Sequence, residues 1–381
     1  MPVLTCGGMR YQHSWKDEAQ SAIPADNQAN VERIIRRALE LGINHIETAR
    51  GYGTSEMQLG RILPSLRRDE IIVQTKVAPC EEPAKFRETF GQSMANLGLD
   101  HVDLFSIHGI NNKSLLEQTI RPGGCLDVAR ELRRAGRTRF IGFSTHASGD
   151  LLMRAIATDA FDYINLHWYF VNDFNWPVIR AAASRDMGVF IISPNDKGGK
   201  LYEAPERFRR LCEPLSPMAF NDLYCLARPE VHTLSIGAAK PGDFDEHVSA
   251  LEYYDRATEI TAPIAERLRR EMEQTLGADW CRGWWEGIPE YTETPGQINL
   301  VEILRLWTLA KGLDLVEFGK MRYNLLGNAE HWFPGTNAET FDESAVLAAV
   351  SRCPFRDRIP VVLREAHQLL RGEQQKRLSQ S

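Results

Sequence analysis

From the N-terminus to about residue 255, short apolar runs rich in Val, Ile, Phe and Thr alternate with longer stretches whose apolar residues recur every third or fourth position. Eight such runs read as strands, at 3–9, 43–48, 71–76, 102–108, 139–145, 163–170, 188–194 and 232–238. Stretches at 30–42, 83–98, 125–136 and 150–158 read as amphipathic helices between them. Strict strand-helix alternation implies right-handed parallel crossovers, and a count of eight favours closure into a (β/α)8 TIM barrel. An open doubly wound sheet is disfavoured further because no GxGxxG turn follows the first strand. Beyond residue 257 the strand signal fades into helical patterns at 259–277, 298–326, 343–350 and 358–370. The pattern therefore predicts an α/β barrel over 1–257 and an all-helical domain over 258–381.

Strand ends in such a barrel open onto one mouth, where catalytic groups collect. Glu47 lies at the end of the second run and Tyr52 just beyond it, Lys76 closes the third and His108 closes the fourth. Together these four supply an acid, a phenol, an amine and an imidazole to one region.

Composition narrows the partners. Of 381 residues, 43% are hydrophobic, enough for a large core, and the formal charge of −6 provides no basic field for nucleic acid. No run approaches the length of a membrane span and no leader pattern opens the chain, so a soluble cytoplasmic protein is expected. Seven scattered cysteines without a CxxC pair read as reduced thiols.

The residues around the second strand end resemble the aldo/keto reductase superfamily. Its members show Asp-Thr-Ala-x-x-Tyr-Gly-x-Ser-Glu there, and this chain has Glu47-Thr48-Ala49-Arg50-Gly51-Tyr52-Gly53-Thr54-Ser55-Glu56. Lys76 and His108 match the family's lysine and histidine at the next two strand ends, and residues 130–147 resemble the segment leading to its carboxamide-binding serine, here Ser144. The resemblance spans roughly the first 255 residues and implies reduction of an aldehyde or ketone by a nicotinamide cofactor, or the reverse. Tyr52 is then the proton donor, Lys76 lowers its pKa, Glu47 braces Lys76, and His108 polarises the carbonyl. Glu47 departs from the family's aspartate by one methylene. The alternative reading is a nicotinamide-binding regulatory or scaffold barrel with little catalysis.

For the cofactor, the resemblance assigns Ser144, Asn165 and Ser193 to the nicotinamide side, with Ile192 where an aromatic ring is common. Lys240 and Glu246 fall on the adenosine side, while Asp243 stands where a phosphate-binding cation is usual and His247 replaces an asparagine. NADP(H) is expected first, with NAD(H) as the alternative.

The tail resembles the ferredoxin-like extension of one subgroup, and 294–305 repeats at 353–364, an offset of 59 that aligns Pro295 with Pro354 and Arg305 with Arg364. Iron-sulfur clusters need about four thiolates, but Ala349, Val346 and Glu343 precede Cys353 at the ligand spacings. No cluster and no metal are expected. Trp280, Trp284, Trp285, Trp307 and Phe318 are expected to fill the core instead, and this domain is the expected face for self-association or a protein partner.

Overall fold

The computed structural model describes residues 1–147 and 149–377. Eight parallel strands close into a barrel in sequence order, with β1 (Leu4–Gly7) pairing both β2 (His45–Glu47) and β8 (Thr233–Gly237). Between them lie β3 (Ile72–Val77), β4 (Val102–Ile107), β5 (Thr138–Ser144), β6 (Tyr163–Leu166) and β7 (Gly188–Ile192). This is the (β/α)8 architecture that the alternation predicts. The strands are shorter than the apolar runs: β6 stops at Leu166, so His167 to Phe170 pass into the following loop.

The chain forms two compact units. The first comprises Met1–Gly198 and Asn221–Ala257 and contains the barrel. The second gathers Gly199–Phe220 with the chain from Thr258 onward.

Within the barrel, side chains alternate about each strand, so residues two apart share the interior. Ile72, Leu104, Tyr163 and Phe190 make an apolar layer, and the Tyr163 and Phe190 rings stack with centroids 5.0 Å apart. A Cβ on Gly142 would sit 2.5 Å from the Tyr163 ring, so the ring fills the space that this glycine leaves. One step along the strands lies a neutral polar layer. His45 bonds Thr5 at 2.8 Å and Gln74 at 3.1 Å, and burial pushes its pKa down to about 3. Gln74 passes the chain on to Ser106 and Asn165. Two positions further along β2 and β3 come Glu47 and Lys76.

In the second unit the helices Leu300–Leu313 and Ile359–Leu370 pack together, and each begins at the same point of the 59-residue repeat. A single helical run over 298–326 is not seen. It breaks where Asp314 takes a left-handed conformation (φ 62°), and a new helix starts at Val316. Trp280 packs edge-on against Trp307 at 5.4 Å and Phe355 at 5.2 Å, its indole N–H donates to Thr308, and the Arg358 guanidinium lies 4.4 Å above its ring. Trp284, Trp307 and Phe318 are buried as well, but Trp285 is 40% exposed. It lies next to Trp284 just past the helix Ala278–Gly283. Among the described residues no group of three or more His, Cys, Asp or Glu is placed to hold a metal, and no helix is long and apolar enough to cross a membrane.

Candidate active site

Strand register brings the first four candidates together. Glu47 pairs in register with Gln74, and Lys76 with Ser106, so the inward column that holds Gln74 in β3 presents Lys76 next toward the mouth. Both Glu47 and Lys76 are buried, and their side chains form an ion pair. Lys76 also donates to the Thr48 carbonyl at 2.8 Å and lies 3.4 Å from the Tyr52 hydroxyl. Tyr52 sits between β2 and the helix Ser55–Gly60, its ring edge-on to His108 at 5.7 Å and to Trp15 at 6.1 Å. His108 is the first residue past β4, and its amide donates to the Val77 carbonyl.

The longer acid has its own support. The Ser235 hydroxyl on β8 donates to Glu47 Oε2 at 2.9 Å. A Cβ on Gly7 would stand 3.3 Å from that oxygen and 2.8 Å from Ser235 Oγ, so a bare glycine on β1 leaves room for both groups. Nothing in the sequence pattern around Glu47 points to Ser235, which is 188 residues away and reaches it only through barrel closure.

Burial sets the electrostatics. It pushes the Lys76 amine well below its ordinary value, against which the Glu47 carboxylate in direct contact favours the ammonium. The Tyr52 hydroxyl is pushed up, by burial first and by neighbouring Tyr11 second. Lowering of the Tyr52 value by Lys76 is the sequence expectation, and desolvation reverses its direction. The resting phenol therefore keeps its proton.

The cofactor candidates are spread more widely. Ser144 ends β5, and its Oγ accepts from the Gly109 amide at 3.0 Å, which leaves the hydroxyl proton free to be aimed elsewhere. Asn165 on β6 is buried with Oδ1 accepting from Gln74 at 2.9 Å, so a ligand would meet this amide through Nδ2. Ser193 follows β7 in a left-handed conformation (φ 53°). Lys240 and Glu246 lie exposed after β8 and on the helix Asp245–Ala250, distant from Tyr52 in sequence. Asp243 does not present a bare carboxylate: its Oδ2 accepts from the amides of Ala239 at 2.8 Å and Lys240 at 3.1 Å. His247 is buried, paired with Asp222 and bonded to Asn195 at 2.9 Å.

A second cluster at the mouth escaped the sequence reading. Lys197, after β7, lies 3.1 Å from His167 Nε2 and 3.4 Å from both nitrogens of His146, which follow β6 and β5. The signal was available, since both histidines lie just past strand ends.

The Aldo/keto reductase family model matches residues 3–205. Among characterised proteins, L-galactose dehydrogenase of Arabidopsis thaliana is 26% identical over 247 residues, covering 57% of this chain and 76% of its own. An aldo-keto reductase of Mycolicibacterium smegmatis is 30% identical over 169 residues, covering 42% of this chain and 54% of its own. L-glyceraldehyde 3-phosphate reductase of Escherichia coli aligns at 26% identity over 130 residues, 30% of this chain and 36% of its own. Among solved structures, the holo form of an aldo-keto reductase from Bacillus halodurans superimposes with a TM-score of 0.57 at 22% identity, over 70% of this chain and 91% of that one.

Proposed function

Because the chain belongs to the aldo/keto reductase family, we propose that it is a nicotinamide-dependent oxidoreductase that reduces a small aldehyde or ketone, with Tyr52 as the proton donor. The observation that carries this reading is the Lys76 amine, ion-paired to Glu47 and 3.4 Å from the Tyr52 hydroxyl. Hydride arriving at a carbonyl carbon leaves negative charge on oxygen, and a protonated phenol at that oxygen can quench it. The phenolate that remains is then stabilised by the Lys76 ammonium, whose charge Glu47 sustains in a buried site. His108, edge-on to the Tyr52 ring, would hydrogen-bond the same oxygen.

The donor set suits a nicotinamide carboxamide. Ser144 would offer its hydroxyl proton and Asn165 its Nδ2, and the bound nicotinamide would supply the hydride. On the adenosine side we favour NADP(H), since Asp243 is occupied by two amides and Lys240 is exposed beside it. The engaged Glu47 removes one motive for a non-catalytic barrel, namely an acid too long to brace its lysine.

Fluorescence titration with NADPH and NADH, followed by turnover on an aldehyde and ketone panel, tests the reading. Tyr52→Phe should keep dinucleotide binding and lose about 10²–10⁴-fold in kcat. Failure to consume either dinucleotide with any carbonyl, or a Tyr52→Phe variant as active as the parent, would overturn it.

A further inference from the structure

Two cysteines meet beside the segments that carry Lys76 and His108. Cys80 lies four residues past Lys76, on the loop that leaves β3. Cys125 is the first residue of the helix Cys125–Arg134, which follows the long connection from β4. The Cys80 amide donates to Cys125 Sγ at 3.5 Å, and the Cys125 thiol donates to the Cys80 carbonyl at 3.3 Å. A sulfur that touches both the backbone amide and the carbonyl of one other cysteine is compatible with disulfide closure, in which the Cα atoms stand roughly 4.4–6.8 Å apart.

The two environments differ in a way that assigns roles. Cys80 is half-buried and donates to the Glu82 carbonyl at 3.3 Å, so a rotation about its own side chain redirects its sulfur. Cys125 is buried, and burial raises its pKa. The donated Cys80 amide and the helix N-terminus both work the other way and favour a thiolate at the moment of attack.

We propose that Cys80 and Cys125 are a redox modification site that closes to a reversible disulfide in the presence of a peroxide. The Cys80 thiolate attacks one oxygen of hydrogen peroxide: an S–O bond forms, the O–O bond breaks, sulfur loses two electrons to give a sulfenic acid, and the hydroxide that leaves takes up the proton lost by the Cys80 thiol as water. The Cys125 thiolate then attacks the Cys80 sulfur, the S–S bond forms, and hydroxide leaves and takes up the Cys125 proton as a second water. A dithiol reverses the step by exchange. Closure would fasten the loop after Lys76 to the helix that follows the His108 segment. The proposal does not depend on nicotinamide chemistry.

The test uses the full chain treated with hydrogen peroxide and mapped as peptides without reduction. The expected main product is a Cys80–Cys125 linked peptide that dithiothreitol removes. Cys80→Ser should abolish it, and Cys125→Ser should leave a sulfenic acid on Cys80 that dimedone traps. Should Cys125→Ser fail to fold, Cys80→Ser at the half-buried position decides the question, because the parent's linked peptide must vanish in it. A parent protein that leaves both thiols unlinked, over-oxidises Cys80 to sulfinic acid, or joins either cysteine to a third would overturn the proposal.

Discussion

Glu47 answers to two partners at once, Lys76 and Ser235, in space that Gly7 leaves open. Shortening it to aspartate withdraws the carboxylate by about 1.5 Å, so one of the two contacts must lengthen. Glu47→Asp should therefore lower kcat, by about tenfold, since small misplacements near the chemistry are expensive in rate. A rise in kcat would show instead that the longer acid is a compromise. Glu47→Gln is the harsher change, because it leaves the buried amine without its counter-charge at a cost of about 3–5 kcal/mol, readable as a lower denaturation midpoint. The grouping of Tyr52, Lys76 and His108 was legible in the sequence because each closes or follows a strand-like run and the segment around Tyr52 resembles a family motif. Ser235 was not, since its link to Glu47 exists only once the first and last strands meet. The direction of the Tyr52 shift was equally hidden, because residue types and order do not reveal how completely a phenol is desolvated.

Between β7 and β8, one buried pair organises a loop. Asn195 bonds His247, His247 pairs with Asp222 on the helix Pro217–Leu226, and the neighbouring Asn221 donates to the Pro194 carbonyl at 3.1 Å. The loop from Ser193 to Gly198 is thus tied down at two successive residues, and Lys197 is carried toward His146 and His167. Burial alone would lower the His247 pKa, but Asp222 by charge and hydrogen bond, with Glu246 and Asp243 behind it, outweighs burial and raises it. A raised folded value means that the pair's contribution to stability is complete below the unfolded pKa of about 6.5 and fades as pH rises through the folded value. The denaturation midpoints of the parent and His247→Asn should therefore lie furthest apart in mild acid and converge as pH rises. A gap that widens with rising pH would mean that the imidazole is neutral in the folded protein. The position of His247 invited comparison with the asparagine usual in the family, yet its side chain is spent on Asp222 and Asn195. A helix-face pattern gives the residue's place but not the element across from it.

At the scale of the whole chain, the break in hydrophobic periodicity near residue 257 marks where the second unit resumes, but the segment 199–220 breaks the linear order. Its apolar residues look like any loop-and-helix insertion after β7, and only long-range contacts identify their partners. Arg207 bonds Glu271 at 2.6 Å, and Arg267 donates to the Leu211 carbonyl at 2.8 Å, so the helix Glu206–Cys212 is held by the helix Ala257–Leu276. Phe208 and Cys212 are buried within that unit. A chain cut after Ala257 would keep residues 199–220 and remove their packing partners. Burying a side chain such as Phe208 is worth about 1.5–3 kcal/mol, and its exposure beside Leu215 and Phe220 would create an apolar patch prone to association. The fragment 1–257 should therefore aggregate or lose its cooperative unfolding transition. The same truncation with Phe208, Leu215 and Phe220 changed to Ser should be more soluble than the simple fragment, as judged by size-exclusion chromatography. If the simple truncation were monomeric with the parent's melting transition, residues 199–220 would be independent of the C-terminal helices, and the interleaved division would be wrong.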